Sequence, residues 1–233
     1  MRHTEQDVSK EPTPRRRARA QALSIALAVT PFGVAFGAAA TDAGLETWQT
    51  AGFSLFVFAG SAQFAAVEIL GDGGSVAAAV TAGLLLNLRS VAFGVALVDA
   101  MPASRWKRAL AAQLMIDETA AVATVQPDRD TSRYAYWVTG LALFAMWNVS
   151  TLVGATVVAS SADLIHDLGL DATVPAAFLA LLWPRLDQPT HRVVAVAGAA
   201  IAVLTTPFVP PGLPVILALV TVVPSVLRRE TTS

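Results

Sequence analysis

A run of apolar residues from about Trp48 to Leu70 is long enough to enter a membrane, yet its centre is poorly suited to a plain lipid-facing helix. That centre reads Phe56–Val57–Phe58–Ala59–Gly60–Ser61–Ala62–Gln63–Phe64. Gly60 loosens the backbone, Ser61 brings a hydroxyl and Gln63 carries an amide into the apolar zone. An unpaired polar group in hydrocarbon costs several kcal/mol, so irregular backbone persists there only against protein or a cavity. The stretch therefore reads as a helix break that lines a substrate pathway and is enclosed by the rest of the chain.

Composition supports that setting. Of 233 residues, 55% are hydrophobic and 14% charged, and the mean hydropathy is +0.58. Soluble domains carry about 25% charged residues, so this balance indicates an integral membrane protein. Cysteine is absent, which removes disulfides, thiolate chemistry and Cys-ligated metals. His3, His166 and His191 all lie outside the apolar runs, which argues against a buried Ser–His pair and against hydrolase-type metal sites. No Walker-type loop is present to drive transport with nucleotide. The expectation is a non-enzyme with no cofactor, no metal, no catalytic residue and no nucleic-acid partner.

Along the chain, residues 1–17 read as a disordered cytoplasmic tail, 18–229 as one transmembrane transporter domain and 230–233 as a short cytoplasmic tail. Arg15, Arg16, Arg17 and Arg19 precede the first apolar segment, Ala18–Ala40, as a cytoplasmic anchor would. A cleavable signal peptide is the competing reading, with Ala38–Ala40 as its small-residue site. Against it, the run is long for such a peptide and membrane segments follow at once. Pro31 predicts a kink near Thr30, and Gly33 and Gly37 have the spacing that lets a second helix approach closely. Pro31–Phe32–Gly33 reads either as packing alone or as a second break facing the first.

Segment 2 is Trp48–Leu70. Segment 3, Ser75–Val98, holds Asn87 and Arg89 near its middle, and an unpaired Arg at that depth costs roughly 2.5–3.5 kcal/mol. Segment 4, Ala109–Val125, holds the adjacent carboxylates Asp117 and Glu118. Segment 5, Tyr134–Ala159, contains Trp147 and Asn148. Segments 6 (Ala172–Trp183), 7 (Val193–Thr206) and 8 (Val215–Leu227) are shorter than the ~20 residues a straight span needs. The fold class expected is all-α: a polytopic helix bundle of about 6–8 hydrophobic segments in the lipid bilayer, with broken or re-entrant helices. The basic loops put both termini in the cytoplasm. Eight crossings leave Arg105, Lys107 and Arg108 outside. If segment 2 is a re-entrant pair hinged at Gly60–Ser61 and segment 4 also fails to cross, every basic loop is cytoplasmic.

Three motifs then stand in a familiar order and spacing. Thr30–Pro31–Phe32–Gly33–Val34–Ala35–Phe36–Gly37, Phe58–Ala59–Gly60–Ser61–Ala62–Gln63–Phe64 and Asn87–Leu88–Arg89 resemble the AzlC-type family, the large subunits of two-component branched-chain amino-acid exporters. Asp117–Glu118 resembles that family's Asp-Glu pair. Two positions depart from the pattern: Ser90 stands where the family commonly has His, and Thr119 where it often has Ala. The resemblance implies a secondary exporter of valine, leucine, isoleucine or similar compounds across the cytoplasmic (inner) membrane. It also implies a small membrane partner subunit of the AzlD type.

An amino acid brings a carboxylate, an ammonium and a side chain. The N-terminal end of a half-helix favours the first and the carbonyl end of another favours the second. Phe32, Phe36, Phe56, Phe58 and Phe64 are available for the third, each with helix packing or lipid contact as its ordinary alternative. The expected substrate-binding set is Pro31, Phe32, Gly33, Phe36, Gly60, Ser61, Gln63, Phe64 and Asn87. Arg89 either pairs with Asp117 or Glu118, the preferred reading, or binds the substrate carboxylate. The two acids are also candidates to load a proton. A non-catalytic membrane scaffold, a transporter of a different small metabolite and an intramembrane enzyme are the other classes. The enzyme reading fits poorly, because adjacent residues on a helix diverge by about 100°.

Overall fold

The computed structural model describes residues 13–98, 101–102, 104–158, 179, 183, 186–209 and 213–222. Among these there is no β-strand, and the helical fold expected from the apolar runs is observed. In chain order the helices are α1 (Pro14–Asp42), α2 (Thr47–Phe56), α3 (Gly60–Gly71), α4 (Val76–Asn87), α5 (Arg89–Ala96), α6 (Arg105–Gln113), α7 (Asp117–Thr124), α8 (Arg129–Val153), α9 (Pro189–Thr205) and α10 (Leu213–Ala218). A π-helical turn, Gly154–Val158, continues α8, and a 3-10 turn, Leu219–Val222, continues α10. Segment 6 and its acidic preceding loop lie almost wholly outside the described residues, as do residues 1–12 and the chain end after Val222. The chain divides into two compact units: Met1–Val29 with Ser90–Met146, and Thr30–Arg89 with Trp147–Ser233.

Among the described residues, three helical stretches are long and apolar enough to cross a membrane: Pro14–Asp42, Val76–Ala96 and Arg129–Val157. The segments that read as weakest spans are each divided. Segment 2 becomes α2 and α3, and segment 4 becomes α6 and α7. With 12 residues, α3 is the longest of these four and reaches about 18 Å at 1.5 Å per residue, well short of a ~30 Å hydrocarbon core. On the described part of Val76–Val98, residues Val76, Val80, Leu84, Leu88, Val91, Val95 and Val98 are all exposed. Val76, Val80, Leu84 and Leu88 recur every four positions in the first part, and Val91, Val95 and Val98 every three or four in the second, so each part has an exposed apolar face that suits lipid chains.

Two connections show how the sequence ends a helix. Gly44 and Gly73 have φ of 89° and 79°, the left-handed region that a side chain strains. After α1, Leu45 N–H donates to Ala40 O and Gly44 N–H to Thr41 O, each at 3.0 Å. After α3, Gly74 N–H donates to Ile69 O and Gly73 N–H to Leu70 O, at 2.7 and 3.0 Å. Both are the paired reverse bonds of a Schellman ending, and both follow from a glycine one residue past the last turn.

Three expectations require correction. α1 begins at Pro14, so Pro14–Arg17 are helical and not disordered. Pro31 does not break α1: the helix runs through it, with Pro31 exposed, so no second break forms at Pro31–Gly33. A proline deletes one ladder bond, and here the flanking turns stay helical because Gly33 and Gly37 lock against α8. Nor is the segment-2 hinge at Gly60–Ser61. The non-helical residues are Val57–Phe58–Ala59, and Gly60 is the first residue of α3 with no positive φ.

Candidate functional site

In the unit Thr30–Arg89 with Trp147–Ser233, the break between α2 and α3 is held by ordinary backbone. Val57 has φ −116° and ψ 72°, Ala59 has φ −156° and ψ 90°, and Ala59 N–H turns back to Val57 O at 2.8 Å. These angles need no glycine. What Gly60 supplies is room: a Cβ there would lie 3.1 Å from the Trp147 ring edge.

Four aromatic rings from four helices close on one another beside this break. Phe36 of α1 lies 5.9 Å from Phe53 of α2, 5.6 Å from Phe64 of α3 and 6.1 Å from Trp147 of α8. The first two contacts are edge-to-face and the third is stacked; Phe64 meets Trp147 edge-on at 6.4 Å. Such pairs contribute about 0.5–1.5 kcal/mol each beyond burial. Phe36 is fully buried, and it can lie this deep because α1 and α8 nearly touch. A Cβ on Gly33 would stand 1.9 Å from Ser150 Oγ, one on Gly37 2.1 Å from Thr151 O, and one on Gly154 2.0 Å from Val34 O. The Gly33–Gly37 spacing thus makes the close helix approach expected of it.

Polar groups are gathered at the same place. Gln63 is fully buried in α3, and its Nε2 reaches back across the break to Phe53 O at 3.4 Å. Gln63 Oε1, Thr50 Oγ1 and Trp147 Nε1 are buried with no hydrogen-bond partner among the described residues. Ser54 Oγ of α2 meets Thr151 Oγ1 of α8 at 3.4 Å. At the start of α3 the first ladder bond runs from Gln63 N–H to Ala59 O, so the N–H groups of Gly60, Ser61 and Ala62 precede the ladder. Ala59, at the N-cap, has no side-chain oxygen to cap them. Arg89 Nη2 donates to Ser61 Oγ at 2.6 Å. A guanidinium and the positive end of a 12-residue helix therefore converge on one exposed corner, the charge pattern that receives a carboxylate. Arg89 follows directly on the end of α4: α4 closes at Asn87, Leu88 keeps helical torsions (φ −54°, ψ −29°), and Arg89 opens α5.

The unit Met1–Val29 with Ser90–Met146 has its own broken helix. Between α6 and α7, Leu114–Met115–Ile116 leave the helix. Thr119 is fully buried there. Its Oγ1 lies 2.9 Å from the carbonyls of Leu114 and of Ile116, and it accepts Ile116 N–H at 3.0 Å. Tyr136 OH donates to Ala111 O in the last turn of α6. Gly140 admits the break: a Cβ there would be 3.0 Å from Leu114 Cβ. Asp117 and Glu118 occupy the first turn of α7, where carboxylates suit the helix dipole. In this unit Arg19 Nε also donates to Tyr134 OH, and the Arg15 and Arg19 guanidiniums lie 5.1 and 5.5 Å from the Tyr134 ring centre.

The AzlC protein family matches residues 24–160, more than half of the chain. The chain belongs to the AzlC family. An uncharacterized membrane protein of Helicobacter pylori (strain 26695) is 25% identical over 184 residues, covering 78% of this chain and 80% of its own. Inner membrane protein YgaZ of Escherichia coli K12 is 28% identical over 170 residues, 69% and 68% of the two chains. An uncharacterized membrane protein of Archaeoglobus fulgidus is 28% identical over 187 residues, 76% and 78%. No solved structure gives a significant match. Family membership gives the chain a transport-related role as a membrane protein.

Within the AzlC-family chain, the residues singled out from sequence distribute unevenly. Phe36, Gly60, Gln63 and Phe64 stand at the α2–α3 break, and Ser61 is joined to Arg89. Gly33 abuts Ser150 and the Trp147 carbonyl, so it serves the α1–α8 crossing. Pro31 is exposed, and Phe32 and Asn87 are half-buried. Phe56 is 81% exposed, whereas Phe58 is buried within the break. Asp117 and Glu118 belong to the other unit, while Arg89, within its own, is bonded to Ser61. Trp147, Phe53 and Thr50 are absent from the expected set. Trp147 alone had a visible signal, an indole inside an apolar segment where the other four lie near segment ends. Thr119 gains a structural role from the hydroxyl that an alanine lacks.

Proposed function

We propose that the chain is a secondary transporter subunit that exports branched-chain or similar small apolar amino acids across the cytoplasmic membrane, with the substrate held at the α2–α3 break. The observation that carries this reading is the junction of Arg89 with the first turn of α3, set beside a four-ring apolar wall. The corner takes the substrate carboxylate. Phe36, Phe53, Phe64 and Trp147 supply the apolar wall for a branched side chain. Two short half-helices ending near the bilayer interior are the usual architecture of a midplane substrate site. A small AzlD-type membrane subunit completes the transporter, and both termini lie in the cytoplasm under the positive-inside rule.

The test is intracellular amino-acid content in a strain lacking this chain and its small partner, fed leucine- and valine-containing dipeptides. Restoring both proteins lowers the accumulated branched-chain amino acids, and Arg89→Gln abolishes the restoration at equal membrane abundance. Unchanged accumulation on restoring the wild-type pair refutes the reading.

A further inference from the structure

In the unit Met1–Val29 with Ser90–Met146, six arginines open the helices α1 and α8. Arg15, Arg16, Arg17 and Arg19 stand in the first two turns of α1, and Arg129 and Arg133 in the first two turns of α8. Asp128 and Asp130 are the acids that stand among them in sequence. Pro14–Asp42 and Arg129–Val157 have 29 residues each and reach about 43 Å at 1.5 Å per residue, against a ~30 Å hydrocarbon core. The charged first turns therefore belong to the headgroup layer, where arginine is an ordinary anchor.

Arg15 and Arg19 are more than anchors, because one ring gathers them. Their guanidiniums lie 5.1 and 5.5 Å from the centre of the Tyr134 ring, and Arg19 Nε donates to Tyr134 OH. The gathering follows from packing: Ala18 of α1, Val122 of α7 and Ala135 of α8 are buried together, and Tyr134 lies against them. Both arginines stay exposed. Nε is one of the five N–H donors of a guanidinium, so most of those on Arg19 remain for a ligand. Two like charges at one ring repel, and an anion shared between them offsets that repulsion. Asp128 is committed elsewhere: its carboxyl accepts Thr131 N–H and Thr131 Oγ1 and is held low foremost by that backbone bond, with Arg15 contributing least.

The surface of α1 beyond the pair says which anion. Leu23 and Leu27 follow Arg19 at intervals of four residues and are 57% and 56% exposed, whereas Ala18, Ala22 and Ala26 on the packed side are 1% exposed each. Arg19, Leu23 and Leu27 thus make a lane about 12 Å long on one side of the helix, charged at the headgroup end and apolar beyond it. A guanidinium suits a phosphate, which it grips with two parallel bonds. A free phosphate engages only the first part of this lane; a phospholipid engages all of it. We propose that Arg15 and Arg19, held on Tyr134, bind the phosphate of an anionic phospholipid whose acyl chain lies along Leu23 and Leu27. Tyr134 is a positioning residue that fixes the two guanidiniums. The site does not depend on the reading of the α2–α3 break.

The test uses the purified full-length chain in a neutral detergent, with a fluorescent phosphatidylglycerol as the probe. Unlabelled phosphatidylglycerol, phosphatidylcholine and inorganic phosphate compete with it. Phosphatidylglycerol displaces the probe at concentrations about tenfold or more below phosphatidylcholine, and inorganic phosphate at those concentrations does not displace it. Arg15→Gln combined with Arg19→Gln weakens probe binding about thirtyfold, from roughly fivefold per arginine. Tyr134→Leu weakens it about tenfold with the charge unchanged, whereas Tyr134→Phe, which keeps the ring, stays within about threefold. Arg105→Gln combined with Lys107→Gln in α6 removes as much charge and costs less than about threefold. The lipid-free melting temperature shows which variants are folded, and the exposed arginine pair decides if Tyr134→Leu is not. Equal displacement by phosphatidylcholine overturns the site. Inorganic phosphate as effective as phosphatidylglycerol overturns the lipid assignment. An equal loss in the α6 pair, or wild-type affinity in folded protein without Arg15 and Arg19, shows diffuse attraction and also overturns it.

Discussion

Gly37→Ala adds one methyl group at the closest point between α1 and α8. The new Cβ would fall 2.1 Å from Thr151 O and 2.7 Å from Ala155 N, both backbone atoms that no rotamer can move. Ordinary contact begins near 3.4 Å, so the two helices have to part by about 1.3 Å, a shift typical of overpacking that costs 1–3 kcal/mol or more. The upper end applies, because the same movement pulls Phe36 from its stack on Trp147. Gly33→Ala is the informative contrast. Its nearest atom is Ser150 Oγ at 1.9 Å, and that side chain can be removed. Gly33→Ala alone destabilises, and adding Ser150→Gly recovers part of the loss, whereas no single side-chain deletion rescues Gly37→Ala. Gly52→Ala sets the opposite sign: among the described residues nothing lies within 4 Å of its Cβ, and replacing glycine inside a helix gains about 0.5–1 kcal/mol. The assay is thermal unfolding of the purified chain in detergent, read by size-exclusion recovery after heating. A Gly37→Ala protein as stable as the wild type, or an equal loss for Gly52→Ala, would show that the α1–α8 contact does not govern stability.

Other expectations follow from single contacts. Trp147→Ala removes the ring shared by Phe36, Phe64 and Gly60 and costs about 3–5 kcal/mol in the same unfolding assay, with a larger loss of export than of membrane abundance. Gly73→Ala strains the left-handed ending of α3 by about 1–2 kcal/mol, measurable as a lower melting temperature. Asp128 caps α8: it accepts Thr131 N–H and Thr131 Oγ1 at 2.8 and 2.7 Å, and these bonds, foremost the backbone one, hold its carboxyl below the usual 3.8. A depressed acid stabilises the fold above its unfolded pKa and loses that contribution as pH falls through the folded one. The melting temperature should therefore drop on acidification below 3.8 in a manner that Asp128→Asn abolishes; an unchanged acid limb in that variant would refute the cap.

Much of this architecture could be seen in the sequence, and the parts that could not share a cause. Apolar runs fixed by the solvent are local, and they marked every long helix. Gly44 and Gly73 likewise announced the endings of α1 and α3 through backbone geometry alone. The breaks were harder. Val57–Ala59 and Leu114–Ile116 contain neither glycine nor proline, and the second is held by Tyr136 and Thr119 from outside the break. Pro31 carried the strongest local breaking signal and the helix continued through it, because packing of Gly33 and Gly37 overrode propensity. For the site, the polar triad Gly60, Ser61 and Gln63 was legible as an oddity in an apolar run. Trp147, far away in sequence, was not legible as its neighbour.

The break at Val57–Ala59 has a mechanical consequence. None of its residues has a positive φ, and the Ala59 N–H is paired with Val57 O, so no left-handed residue fixes the joint in one shape. Beyond it α3 is a stiff rod of 12 residues. A rotation of only about 10° at the joint carries the far end of an ~18 Å rod through about 3 Å, comparable to the width of a methyl group. Small changes in three backbone residues are thus converted into a displacement on the scale of the cargo.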